Sequence, residues 1–176
     1  LGRVLSVGGR SEQALSFLEE AERRFLSLAD AGNTGASLMA SVCLTEMGDC
    51  FKDLGQYDEA AKKYESGIAI AEKLNDSRGV AVKKGQLATV RMYQKNYSEA
   101  LSLYAEVKTF FERNREPKSV AAIWHQIGRV HEKDNNYTAS EKAYQQSLEI
   151  NIREKNKAGE ASSLTQLGNL YDAMGR

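Results

Sequence analysis

The densest gathering of reactive side chains lies between Trp124 and Tyr144, where WHQIGRVHEKDNNYTASEKAY holds a tryptophan, two histidines, several carboxylates and two tyrosines. Imidazoles beside carboxylates could ligate a metal or move protons, and either would make the chain an enzyme. The spacing argues against both. His125 and His131 are six apart, about 240° around a helix, so the pair cannot chelate one ion unaided. Glu132 with Lys133, Glu141 with Lys142, Glu19-Glu20, Glu59 and Glu99 read as solvated helix faces and pairs. Gly8-Gly9 and Gly32 to Gly35 lack the strand and lysine of a phosphate loop, and no Ser or Cys sits in a recognisable nucleophile motif. No catalytic residue, metal site or cofactor is assigned: the expectation is a non-enzyme.

The elements that position these residues recur. Shifting the sequence by forty residues aligns Met47-Gly48, Leu87-Ala88, Ile127-Gly128 and Leu167-Gly168. Tyr57, Tyr97 and Tyr137 align as well, as do Ala60, Ala100 and Ser140, and Tyr64, Tyr104 and Tyr144. A weaker copy begins at Leu1-Gly2 and continues through Ala14, Leu18 and Ala21, offset by forty-six. The six additional residues are expected in the loop around Gly32 to Gly35. The equivalents of the opening stretch, LTEMGDCFKDLGQYDEAAKKY and KGQLATVRMYQKNYSEALSLY, keep the frame and lose both histidines. The stretch therefore reads as repeat packing, with one histidine a groove residue and the other a packing residue.

Each unit reads as two helices, in the third roughly Arg78 to Gln94 and Ser98 to Arg113. The connections LGQY, QKNY and DNNY place Gly or Asn where the first helix must end left-handed. Pro117, the only proline, opens the next helix where a missing amide hydrogen matters least. Glycine inside a helix costs about 1 kcal/mol relative to alanine. Gly48, Gly128 and Gly168 therefore imply close approach of the second helix through Ala60, Ala100 or Ser140, with Tyr64, Tyr104 and Tyr144 filling the space beside it.

Composition bounds the partners. Lysine plus arginine and aspartate plus glutamate both total 24, so net charge gives no general pull toward nucleic acid or an anionic membrane. Lys83-Lys84 and Arg91 are too few for a basic RNA patch. No apolar run approaches the roughly 20 residues of a membrane span. Cys43 and Cys50 stand about 10 Å apart along one helix face, too far for a disulfide, so free thiols in a reducing, cytoplasmic setting are expected. The chain opens on Leu1 and is expected to be a piece of a longer polypeptide.

Trp124-x2-Ile127-Gly128-x2-His131, with small and aromatic positions following, resembles the tetratricopeptide signature; Phe51, Arg91 and Tyr171 fill the slot of His131 in other units. The forty-residue period resembles the long-helix class of kinesin light chains, Leu-Gly-Asn repeat proteins and bacterial signalling proteins. The resemblance implies an all-α right-handed superhelix of about four and a half units. Residues 1–35 form a partial repeat, 36–76, 77–116 and 117–156 full repeats, and 157–176 the first helix of a truncated one. It also implies a concave surface that binds a protein or peptide, an extended segment or a helix. Carried over, the groove slots fall on Thr45, Glu46 and Asp49; Gln86 and Thr89; His125, Gln126 and Arg129; and Thr165, Gln166 and Asn169. The asparagine of a Leu-Gly-Asn triplet, here Asn169, holds a ligand's backbone amide in that family. The carboxylate clamp of chaperone-binding members is absent in recognisable form, since Glu46 and Asp49 stand in the second unit. The alternative function is a spacer or self-association element for attached domains. Weak self-association is expected through an uncapped C-terminal end at Leu167 and Tyr171.

Overall fold

In a computed structural model that describes residues 11–175, every regular element is an α-helix. In chain order these are α1 Ser11–Asp30, α2 Thr34–Asp53, α3 Tyr57–Lys73, α4 Ser77–Tyr93, α5 Tyr97–Arg113, α6 Pro117–Lys133, α7 Tyr137–Arg153 and α8 Lys157–Ala173. Leu1-Gly2, the start of the weaker copy, lies outside the described residues.

All seven connections are three residues long. The six additional residues are therefore not in a loop. They are helix, three in α1 and three in α2, which have 20 residues against 17 in each of the others. Three residues lengthen a helix by about 4.5 Å, and lengthening two antiparallel neighbours alike leaves the three-residue turn undisturbed.

Every connection turns through a left-handed residue: Gly32, Gly55, Asn75, Lys95, Arg115, Asn135 and Lys155. In QKNY the left-handed residue is Lys95, not the expected asparagine. The middle position of the turn imposes the conformation whatever its side chain. Asn96 instead caps α5, its Oδ1 accepting from the Glu99 amide at 3.3 Å. The third residue of each turn reaches back across it, as Gln56 N donates to Phe51 O at 2.8 Å and Asn136 N to His131 O at 2.8 Å, which closes the orphan carbonyls of the preceding helix. Pro117 occupies the first turn of α6, as its fixed φ favours.

The helices fall into two compact units that divide between Val90 and Arg91. In the first, α1 packs on α2 and α2 on α3; in the second, α5 packs on α6, α6 on α7 and α7 on α8. A core of Ala14, Leu18, Met47 and Cys50, with Phe51 against it, lies in the first unit. Cys43 and Cys50 are buried free thiols, and burial raises the pKa of Cys43.

Tyr64 and Tyr144 fill the space beside Gly48 and Gly128 as expected, each ring taking the volume a side chain there would need. A Cβ on Gly48 would stand 2.6 Å from Tyr64 Cε1, and one on Gly128 2.5 Å from Tyr144 Cε1. Both rings are fully buried, and their hydroxyls donate to Asp49 Oδ1 at 2.8 Å and Glu132 Oε2 at 2.7 Å. Burial and these carboxylates push both phenol pKa values up. Ser140 Oγ completes the second joint by donating to Gly128 O at 2.9 Å.

The expectation for the C-terminal helix is corrected. Leu167 and Leu170 are buried with Tyr144, and Tyr171 is half-buried, donating its hydroxyl to Glu141 Oε1 at 2.8 Å. The exposed apolar residue is Leu164, one turn earlier at 51% exposure, and a Cβ on Gly168 would meet nothing within 4 Å.

Candidate functional site

The groove slots sit on the first helix of each pair: α2, α4, α6 and α8. None of the eleven is buried; Thr165 and Asn169 are exposed and the rest half-buried. That exposure follows from register, because positions three and four apart share one helix face while the intervening Met47, Leu87, Ile127 and Leu167 face inward.

In the first unit the structure joins two slots, since Gln86 Nε2 donates to Asp49 Oδ2 at 3.3 Å. Asp49 is heavily used. It also accepts from Tyr64 Oη and from Lys52 Nζ, the latter at 2.7 Å. Three donors on one carboxylate make Asp49 a pin for the Gly48–Tyr64 joint more than a free charge. Thr45 and Thr89 turn their hydroxyls back to Ser41 O at 2.9 Å and Gly85 O at 3.1 Å. Gln86 Oε1 is a buried acceptor with no hydrogen-bond partner. Sequence reasoning missed the apolar part of this surface: Leu38, Met39 and Val42 on α2 and Val82 on α4 are exposed. Leu38 and Val42 precede Thr45 and Asp49 at helical spacing, and Val82 precedes Gln86 by four, so the signal was present in the heptad register.

In the second unit Arg129 organises the slots of α6. Its Nη1 donates to Gln126 Oε1 at 3.0 Å and its Nη2 to Tyr93 Oη at 3.4 Å. His125 packs against the Tyr144 ring with centroids 5.5 Å apart, and burial together with Arg129 lowers its pKa, so it is neutral near pH 7. His131 has a different neighbourhood. Its Nδ1 is buried without a partner and burial lowers its pKa too. Among the described residues no group of three or more His, Cys, Asp or Glu is placed to hold a metal ion, and no helix is long and apolar enough to cross a membrane.

Two hollows flank α6. One, of about 300 Å³, contains His125 and Gln126 together with Ser147, Asn151 and residues of α8. The other, of about 380 Å³, is walled by Trp124, Phe111, Val120 and Ile150, with Lys108 Nζ 4.5 Å from the Trp124 ring centroid. Thr165 donates to Ala161 O at 2.8 Å.

Helix pairs of this kind, recurring every forty residues, agree with comparison to known proteins. Tetratricopeptide repeat models match residues 79–153 and 119–176, and residues 43–77. The chain belongs to the tetratricopeptide repeat family. BtubC (BKLC) from P. vanneervenii is similar with a TM-score of 0.80 at 21% identity, over 99% of this chain and 70% of that one. The nearly identical tetratricopeptide-like repeats of a Podosopora anserina protein assigned as a kinesin light chain give 0.80 at 18% identity, over 99% and 84%. A double mutant of MamA RS-1 gives 0.59 at 17%, over 98% and 92%. At these identities the likeness shows fold, an all-α solenoid of helical repeats resembling kinesin light chain. Tetratricopeptide repeats generally mediate protein–protein interaction and scaffolding.

Proposed function

We propose that this tetratricopeptide chain is a non-catalytic scaffold module that holds a segment of a partner protein on the groove faces of its first helices. The observation that carries the reading is the surface of α2 and α4. Leu38, Val42 and Val82 are 40–46% exposed beside the half-buried polar slots Thr45, Glu46, Asp49, Gln86 and Thr89. Such a face offers aliphatic contact and polar side chains together, and suits a segment with aliphatic side chains and spare N–H donors. Since Asp49 already serves Lys52, Tyr64 and Gln86, apolar contact contributes more here than attraction for a cation. On α6 the polar slots His125, Gln126 and Arg129 take over, and on α8 Thr165, Gln166 and Asn169.

The test is selection of binders from a random-peptide display library with the 176-residue chain. Enriched peptides are expected to carry at least two aliphatic residues and to lose about tenfold or more in affinity for the Val42→Asp/Val82→Asp double variant. Ile152→Asp, at an exposed apolar residue of α7, is the control and is expected to bind normally. Peptides indifferent to the double variant would overturn the assignment.

A second reading, self-association as a spacer, rests on exposed Leu164 and the open space over Gly168. Sedimentation should then show concentration-dependent association that Leu164→Lys removes. A monomer at every concentration rejects it.

A further inference from the structure

Among the described residues a single Asp, Glu, Lys or Arg is buried: Lys83 on α4, at 8% exposure. Its position in the other repeats is taken by Cys43, Ile123 and Ser163, so the fold requires no charge there. The sequence nevertheless makes room for this one. Gly67 on α3 faces the lysine stem, and a Cβ on that glycine would stand 3.2 Å from both Lys83 Cδ and Lys83 Cε. One and two repeats later Gly67 becomes Val107 and Ser147, opposite positions held by Ile123 and Ser163. The long cationic stem and the missing side chain thus occur together, between α3 and α4 of the first unit.

The charge that acts on Lys83 is Asp76, in the turn between the two helices. That carboxylate is already engaged, since Asp76 Oδ1 accepts the Gly79 amide at 2.8 Å at the start of α4. Burial outweighs the attraction of Asp76 and holds the Lys83 pKa below the ordinary lysine value, so more of this amine is neutral at a given pH. A neutral amine is a nucleophile where an ammonium is not. Converting it to an amide also removes the cost of keeping a cation away from water. Both the reactivity and the fate of the product therefore follow from where the side chain is placed.

We infer that Lys83 is a modification site, acylated on Nζ by small acyl thioesters. The neutral amine attacks the thioester carbonyl carbon, and a C–N bond forms as the C–S bond breaks. The thiolate leaves with the electron pair, and the nitrogen gives its proton to solvent. The product is an uncharged amide between α3 and α4. Low exposure restricts the reaction to small donors, and the inference is independent of what the groove binds. Lys84, next in sequence and half-buried, is an internal comparison. The 176-residue chain is treated with S-acetyl-N-acetylcysteamine over a range of pH, folded and in concentrated urea, with less than one adduct per chain. Digestion and tandem mass spectrometry then give the rate at each lysine.

In the folded chain Lys83 is expected to react roughly threefold or more faster than Lys84, and unfolding to bring the ratio to about one. The Lys83 rate should reach its half-maximum at a lower pH in the folded chain than in urea. Asp76→Asn retains a capping side chain, as Asn156 does before α8, and removes the carboxylate, so it should move that half-maximum lower still. A folded chain in which Lys84 reacts first, a ratio that urea leaves unchanged, or a half-maximum that is the same folded and unfolded would overturn the inference. So would an Asp76→Asn variant whose half-maximum lies higher than that of the parent.

Discussion

His131 shows what a single side chain contributes to a repeat. Its slot is filled by Phe51 in the second repeat, where the ring packs against Ala14, Leu18, Met47 and Cys50, and by the half-buried Tyr171 in the last repeat. An imidazole in the same place leaves Nδ1 buried without a partner, which typically costs about 1–3 kcal/mol. We expect His131→Phe to stabilise the chain by about 1 kcal/mol at neutral pH, measured by thermal melting. The variant should also alter the acid limb. Burial depresses the pKa of His131 in the folded chain, so as pH falls the unfolded chain protonates first. The stability linked to this group is complete above the ordinary histidine value of 6.5 and is lost as pH falls below it toward the folded value. The gap between variant and parent should therefore widen from about pH 7.5 to about pH 5.5; a variant that melts lower, or a gap that narrows in acid, refutes this account. Residue chemistry was only partly legible in the sequence. Spacing separates His125 and His131 on the helix, but their burial depends on neighbours from adjacent helices that no spacing within one helix reveals.

At the scale of helices, the glycine–tyrosine joints and the turns make opposite demands on similar residues. Gly128 and Gly168 occupy one repeat position, yet the first faces a buried ring held by Glu132 and the second faces open space. Alanine gains about 1 kcal/mol of helix propensity at either site, while overpacking costs about 1–3 kcal/mol. Gly168→Ala should therefore raise the melting temperature and Gly128→Ala should lower it, with Gly128→Leu lower still; shifts of the same sign would mean that the ring does not fill the glycine. The turns give a further expectation. Lys95 carries a φ of 62°, a conformation that costs a non-glycine residue about 1–2 kcal/mol. Lys95→Gly should stabilise by up to about 1 kcal/mol, and chemical denaturation that finds a loss would place the strain elsewhere. The alternation of helices and short turns was legible because the forty-residue period is rigid. The additional residues of α1 and α2 were misplaced, since an offset of forty-six says how much chain is added and not whether it is coiled into helix.

For the whole chain, the two compact units have separate surfaces and separate chemistry. The first exposes aliphatic side chains beside acceptors; the second replaces them with Lys118, Gln126, Arg129 and a polar hollow. The slots of the groove could be placed on the sequence by family register, but their company could not. Leu38, Val42 and Val82 read as ordinary core residues by type, and Ser147, Asn151 and Ser163 as ordinary surface by type; burial inverts both. In stacked repeats stability is shared between neighbours, and α8 packs mainly on α7 and, lightly, on α6. Amide exchange should accordingly be fastest, among the helices of the second unit, in α8. Protection there equal to that of α6 would show that α8 does not open on its own.

The lone tryptophan gives this arrangement an optical consequence. Trp124 stands in the cleft between Phe111 and Ile150 with the Lys108 ammonium over its ring, all within the second unit, and the first unit holds no tryptophan. Indole emission is thus a local gauge of residues 91–176, whereas far-ultraviolet dichroism sums over every helix. Recording both through one urea titration separates the melting of the two halves without a label, and coincident midpoints would mean that they unfold as one.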